Sequence, residues 1–133
     1  MSEQNVEIVR RMIDAYNRRD RTAWFAFMDP EIETWPVETW PESGPFKGVD
    51  VSWDFYAQSD EAWKESGAYE IVEQIDAGDA VFVCVRRDVR GKESAAEIEF
   101  RLYQVASFRN GKLIRSRWFL DRDRALEAAG LSE

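Results

Sequence analysis

The sequence contains no histidine and only one cysteine, Cys84, among its 133 residues. Without histidine it has no Ser-His-Asp or Cys-His catalytic centre and no histidine-ligated zinc or iron site, and we expect neither a metal nor a cofactor. Any acid–base chemistry must come from carboxylates, lysine or tyrosine. A lone cysteine cannot form an intrachain disulfide, which predicts a cytoplasmic protein with an inert, buried thiol.

Long apolar runs and an excess of basic residues are also missing. No apolar stretch approaches the roughly 18 residues of a membrane-spanning helix, and the polar residues 1–20 predict neither a signal peptide nor membrane association. The 26 acidic residues outnumber the 18 basic ones, giving a net charge of −8. Because nucleic acids attract basic surfaces, an uncharged apolar small molecule or another protein is the more natural partner.

Aromatic residues, in contrast, are abundant. They make up 14% of the chain and include six tryptophans, and hydrophobic residues reach 44%. A chain of this length fits a single domain, 1–133, that buries roughly two-thirds of the surface its unfolded form exposes. The composition therefore supports a sizeable core without disulfides or metals.

Helical periodicity dominates the first half of the chain, and strand alternation dominates the second. The pattern predicts helices over 3–18, 21–28, 49–65 and 122–129 and strands over 32–35, 69–75, 80–90, 95–109 and 112–120. Asp20 is the expected N-cap of the second helix. Asn110-Gly111 is the strongest hairpin signal and suits a type I′ turn. This order predicts an α+β fold in which helices cover one side of a curved sheet.

Four segments of the sequence, taken in order, carry a family pattern: NVEIVRRMIDAYNRRD with TAWFAFMDPEIE, PFKGVDVSWDFY, IVEQIDAGDAVFVCVRRDVRG, and VASFRNGKLIRSRWFLDRDRALEAAGL. Together they resemble the nuclear-transport-factor-2-like superfamily, in particular its SnoaL-like branch, of which the closing ALEAAGL is typical. The resemblance implies a cone-shaped α+β fold. Its curved, mixed or antiparallel sheet and N-terminal helices would enclose an apolar pocket, usually in a homodimer.

The superfamily includes ketosteroid isomerase, polyketide cyclases, scytalone dehydratase and limonene-1,2-epoxide hydrolase, together with members that have no catalytic role. The resemblance therefore implies a domain that binds an apolar cyclic or polyketide-like small molecule. If the protein is an enzyme, we expect a cofactor-free isomerase, cyclase or hydratase. The alternative is a non-catalytic binding or dimerisation module, and an epoxide hydrolase proper is a third hypothesis.

Epoxide hydrolases of this superfamily use an Asp-Arg-Asp set, which the sequence resembles at Arg86, Asp88 and Asp121. Residues i and i+2 of a strand point to one face, so Arg86 and Asp88 are side by side. In this hypothesis Asp121 is the main acid or base, Asp88 is its partner, and Arg86 orients both. The stretch Thr34-Trp35-Pro36 lacks the tyrosine and asparagine that position water in those enzymes, which argues against epoxide hydrolysis.

Strand pairing decides whether these residues face a pocket. A two-residue turn at Asn110-Gly111 places Phe119 opposite Leu102. If the preceding hairpin adopts one register, of even parity, Arg86 and Asp88 point to that face as pocket residues. If its register differs by one residue, they point to an exposed or dimer-forming face with Glu97, Glu99, Arg101 and Tyr103. The turn at 91–94 allows both, so a surface ion pair, with Asp121 as a simple helix cap, is the open alternative.

Nine residues are predicted to line the pocket, because the family cavity is aromatic and the predicted strand pairing places several of them on the face of the sheet that borders it. They are Trp35, Trp40, Trp53, Tyr56, Phe82, Phe100, Leu102, Gln104 and Phe119. For the aromatic members, packing within the core is the alternative.

Overall fold

The structure, a computed structural model, describes residues 2–93 and 96–131. Its helices are α1 Ser2–Asn17, α2 Arg21–Ala26, α3 Val49–Glu61 and α4 Arg122–Ala128. Its strands are β1 Met28–Trp35, β2 Phe46–Lys47, β3 Glu65–Ser66, β4 Glu70–Asp76, β5 Ala80–Arg90, β6 Glu97–Arg109 and β7 Lys112–Phe119. The predicted turn at 91–94 and the predicted strand start at Ala95 extend into residues outside the described part.

The described strands form one strongly curled sheet in the order β2-β1-β7-β6-β5-β3, and β4 shares the free edge of β5 with β3. The sheet is mixed, because β1 runs parallel to β7 while the other pairs are antiparallel. The α+β prediction and the cone-shaped sheet with the N-terminal helices on its inner side are therefore confirmed, whereas α4 covers the outer face. Within the described residues, no helix has the length and apolar character needed to cross a membrane.

The N-terminal helices form where the sequence pattern places them. Val9, Met12 and Tyr16 of α1 are buried at helical spacing and pack on the sheet. The side chain of Asp20 accepts a hydrogen bond from the backbone N–H of Ala23 at 3.1 Å, which caps α2 as predicted. α3 ends at Glu61, a few residues earlier than the periodicity indicates.

The last hairpin forms at Asn110-Gly111, where both residues have positive φ angles, 53° and 77°. A type I′ turn requires this geometry, and glycine adopts it without steric cost. Arg109 then pairs with Lys112, as predicted.

A β-bulge in β7 changes the pairing beyond this turn. Phe108 pairs with Leu113, but Ser107 pairs with Arg115, so Ile114 is an extra residue on β7. The predicted register of the remaining strand was therefore wrong by one residue. Because side chains alternate between faces, the bulge reverses which side chains of β7 after Ile114 point inward and which point outward.

The two faces of the sheet support separate cores. On the inner face, Val81, Val83 and Val85 of β5 pack with α1 and α2. On the outer face, Phe82 and Cys84 pack under α4 with the cluster that includes Val105 and Ala125. β5 is apolar on both faces over this stretch because each face is covered.

Candidate functional site

A cavity of about 310 Å³ lies between the inner face of the sheet, α3 and the loop that follows β1. Its lining residues come from these three regions, from the segment between α3 and β4, and from the residue after β7: Val37, Thr39, Trp40, Phe55, Tyr56, Ser59, Ala62, Trp63, Tyr69, Arg87, Phe100, Leu102, Trp118 and Leu120. A smaller space of about 40 Å³ extends among the core residues of α1 and shares Tyr56, Tyr69 and Trp118 with the larger one. The cone therefore holds an open cavity with a narrow inner extension.

Half of the cavity-lining residues, seven of fourteen, are aromatic, and several of their rings pack against one another. Trp40 packs edge-on against Phe55 with their ring centroids 5.3 Å apart. Trp63 packs against Phe100 at 5.4 Å. Aromatic pairs prefer such edge-on and tilted arrangements, which contribute about 0.5–1.5 kcal/mol each beyond their burial. The result is a largely apolar enclosure lined by packed rings.

Arg87 is the charged residue of this wall, and its side chain is only 3% exposed. Its Nε donates to the carbonyl oxygen of Gly67 at 3.1 Å, and its Nη1 donates to Oδ1 of Asp60 at 2.8 Å. The guanidinium also lies 4.1 Å from the centroid of the Tyr69 ring. A buried cation needs such partners, because desolvation is otherwise costly.

Asp60, near the end of α3, is the centre of the polar network behind this wall. Besides the bond from Arg87, its Oδ2 accepts from Arg19 Nη2 at 2.6 Å and from the Tyr16 hydroxyl at 2.5 Å. Burial, reinforced by this bond and the charge of Asp60, raises the pKa of Tyr16 far above its usual value. Three of the roughly four lone-pair sites of this carboxylate are therefore occupied by structural hydrogen bonds.

A second polar chain crosses the base of the cavity. Trp118 Nε1 donates to the Tyr56 hydroxyl at 2.9 Å, which in turn shares a 3.1 Å hydrogen bond with Ser116 Oγ. Gln104 Nε2 donates to the same serine oxygen at 2.8 Å. Burial raises the pKa of Tyr56, although bonds from Ser116, Trp118 and Thr34 oppose the shift. This chain fixes the positions of Tyr56 and Trp118 in the wall.

Gln104 also contributes an acceptor with no partner. Its side-chain oxygen is buried and receives no hydrogen bond within the described part of the chain. The residue lines the inner extension of the cavity. A buried unsatisfied acceptor is unfavourable, so a donor group entering this space would gain a hydrogen bond.

The predicted pair Arg86 and Asp88 lies on the outer face, which corresponds to the second of the two strand registers that the sequence allows. Arg86 is opposite Arg101, and Asp88 is opposite Glu99. Arg86 forms ion pairs with Glu70, Asp88 and Glu99 at 2.6, 3.3 and 3.4 Å, and the acidic side chains are largely exposed. These residues make a solvated charge network and do not line the cavity.

Asp121 is the N-cap of α4. Its exposed side chain accepts a hydrogen bond from the backbone N–H of Asp123 at 2.9 Å. It is neither a cavity residue nor an ion-pair partner of Arg86 among the described residues. The structure therefore does not bring Asp121, Asp88 and Arg86 together into one site.

The predicted pocket residues divide into two groups. Trp40, Tyr56, Phe100 and Leu102 line the cavity, and Gln104 lines its inner extension.

The other four predicted pocket residues lie elsewhere. Trp53 packs in the inner core, 5.3 Å from the Tyr16 ring. Trp35 is half-buried at the end of β1 and lines neither space. Phe82 and Phe119 belong to the outer cluster under α4. Phe119 points outward because of the bulge at Ile114, which brings Trp118 inward instead.

Sequence reasoning missed the residues that provide the polar part of the site. Arg87, Asp60 and Trp118 were not predicted to face a pocket. For Arg87 a signal exists, since it continues the alternation of Val81, Val83, Val85 and Val89, all of which are buried. In the described residues, no group of three or more Cys, Asp or Glu side chains is placed to hold a metal ion.

Comparisons with known proteins agree with this architecture. A family model of the SnoaL-like domain matches residues 9–116. An NTF2-like protein from Burkholderia xenovorans LB400 is similar at 26% identity over 97% of each chain, with a TM-score of 0.73. A candidate SnoaL-like polyketide cyclase from Jannaschia sp. CCS1 has 20% identity, covers 99% of this chain and 94% of its own, and gives a TM-score of 0.76.

A third solved structure with this fold is TerC co-crystallised with polyporic acid. It has 19% identity, covers 96% of this chain and 98% of its own, and gives a TM-score of 0.76. At these identities the likeness shows the fold. Among proteins of curated function, none matches the sequence significantly.

Proposed function

We propose that this chain, which belongs to the SnoaL-like domain family, binds an apolar cyclic or polyketide-like small molecule in the cavity between α3 and the sheet. The observation that carries the proposal is the cavity itself, which measures about 310 Å³ and has an aromatic side chain at seven of its fourteen lining positions. Ligand pockets of proteins have this size and character, an apolar enclosure with a few polar groups that orient the ligand. Here those groups include Arg87 and, in the inner extension, Gln104.

The open cavity separates this proposal from its main alternative. A non-catalytic dimerisation module needs no internal space and would fill it with its own side chains. Two structural neighbours add support of a weaker kind, since one is a candidate polyketide cyclase and another was co-crystallised with polyporic acid. A homodimer is compatible with ligand binding and remains a separate proposal, which light scattering would test.

A finer proposal is cofactor-free isomerase, cyclase or hydratase activity on the bound compound. We place no catalytic step on Asp121, Asp88 or Arg86, because they lie outside the cavity. Any chemistry there would use the groups that face the ligand, among them Arg87. Binding is accordingly the function that the geometry supports best.

The proposal is tested by titration with the neutral fluorescent probe N-phenyl-1-naphthylamine. Trp40, Trp63 and Trp118 line the cavity, so a probe bound there should quench tryptophan emission by energy transfer and gain emission of its own. The variant Ala62→Trp places a bulky ring in the cavity wall at an exposed position after α3. We expect it to weaken probe binding by about tenfold or more.

A matched control is Ala26→Trp, which adds the same ring at an exposed alanine at the end of α2, away from the cavity lining. This variant should bind the probe as the unmodified protein does. If the unmodified protein does not bind the probe, or if both variants bind it equally well, the cavity is not the binding site and the proposal fails.

A further inference from the structure

We infer that the ligand of this cavity carries an anionic oxygen group, such as a carboxylate, phenolate or enolate, which binds to Arg87. The inference rests on the proposed function and adds a charge class to the ligand. It also departs from the expectation of an uncharged partner that the acidic composition favours, because the local charge of the cavity differs from the net charge of −8 of the chain.

The first support is the charge balance of the buried network. Arg87 and Arg19 are both paired with Asp60, so two positive charges share one carboxylate, a net of +1. Among the described residues, neither arginine pairs with a second acidic side chain. The Arg19 side chain is 50% exposed and is partly hydrated, whereas that of Arg87 is 3% exposed. The cavity wall therefore has a buried cation, Arg87, that shares its carboxylate partner Asp60 with Arg19.

The second support is the unused hydrogen-bonding capacity of Arg87. Its Nε and Nη1 are engaged by Gly67 and Asp60, and it also has a side-chain hydrogen bond with Tyr69, which leaves about two of its five N–H groups unused among the described residues. A guanidinium presents its donors in a fixed plane that suits an oxyanion. Because Arg87 lines the cavity, a ligand oxygen is the natural acceptor for the remaining N–H groups.

The third support is a second donor, on another residue that lines the same cavity. The indole N–H of Trp40 is buried and has no acceptor among the described residues. Donors without acceptors on lining residues indicate a ligand that accepts hydrogen bonds. In an apolar enclosure, a charge-assisted bond to an anion is stronger than one to a neutral oxygen.

Two probes that differ in one group test this inference. 8-Anilino-1-naphthalenesulfonate has the aromatic body of N-phenyl-1-naphthylamine plus a single sulfonate, so the ratio of their dissociation constants reports the contribution of the negative charge. We expect the sulfonate probe to bind the unmodified protein about tenfold more tightly than the neutral one. Arg87→Met should remove this preference, so that the ratio of the two dissociation constants falls to near one.

Asp60→Asn provides a test in the opposite direction and keeps the inference falsifiable if Arg87→Met does not fold. Removing the carboxylate leaves both arginine charges uncompensated, so the preference for the sulfonate probe should increase. Arg86→Met is the matched control, since it removes the neighbouring arginine from the outer face. Circular dichroism establishes that each variant is folded before its affinities are compared.

The outcomes distinguish the two proposals. Equal or tighter binding of the neutral probe would overturn the anionic ligand while leaving the proposed binding function intact. A sulfonate preference that persists in Arg87→Met, or disappears in Arg86→Met, would overturn the role of Arg87. If neither probe binds, the proposed function fails, and this inference fails with it.

Discussion

Arg86 and Arg87 are adjacent in β5, and the sheet places them in opposite environments. Arg86 lies on the outer face among three carboxylates that are largely exposed. Arg87 lies on the inner face with one carboxylate, a carbonyl oxygen and an aromatic ring around it. Arg86, which water already stabilises, therefore has three acidic neighbours, whereas the buried Arg87 has one.

The difference shows that the number of ion pairs is a poor guide to importance. Exposed pairs contribute little, because water and salt screen them and both side chains lose conformational freedom. A buried ion pair is sensitive to the loss of one partner, because the remaining charge is left desolvated. The functional candidate is thus the arginine with fewer charged partners.

The largest expected effect comes from removing the single buried partner. Asp60→Ala leaves Arg87 without a counter-charge inside the fold, and we expect the free energy of unfolding to fall by about 3–5 kcal/mol. Asp88→Ala on the outer face should cost no more than about 1 kcal/mol. Urea unfolding followed by circular dichroism measures both, and equal losses would show that the two faces do not differ as described.

An intermediate effect is expected at alkaline pH. Burial raises the pKa of Tyr69, which packs against Arg87, from 10.0 to about 12. The neutral phenol is therefore favoured by the folded state, and its contribution is complete below pH 10 and is lost as the pH rises towards 12. The loss should be about 2–3 kcal/mol.

Stability curves between pH 8 and pH 12 check this expectation, and the pH range follows from the two pKa values of Tyr69. Tyr69→Phe has no ionisable group at this position, so its stability should decline less over the upper part of the range. Parallel curves for the two proteins would contradict the account of Tyr69.

The smallest effect is expected on the outer face. Arg86→Met should lower the free energy of unfolding by about 1 kcal/mol or less at low ionic strength. In roughly 1 M salt, where the screening length is only about 3 Å, this difference should nearly vanish. A loss comparable with that of Asp60→Ala, unaffected by salt, would mean that the outer network has a structural role we do not assign to it.

The sequence allowed the elements and their order to be predicted because each has a local cause. The buried spacing of α1, the Asp20 cap and the Asn110-Gly111 turn are all determined by residues close in the chain. The resemblance to SnoaL-like proteins then allowed the curvature of the sheet and the presence of a pocket to be predicted.

The polar part of the site could not be predicted in the same way, because it depends on contacts distant in sequence. Arg87 belongs to a run of charged residues at the end of an apolar strand, which is typical of a solvated strand end. Its burial depends on Asp60, 27 residues earlier on α3. The apolar run Ala80–Val85 is buried on both faces, so alternation alone does not identify the inner one.

The bulge at Ile114 has a consequence for how such a pocket can change over generations. If substitutions removed the bulge at unchanged chain length, the strand after Ile114 would shift by one residue and turn over. Arg117 and Phe119 would then point inward in place of Ser116 and Trp118. Loss of the bulge is therefore a short evolutionary route to a different ligand preference that needs no substitution among the residues at the cavity.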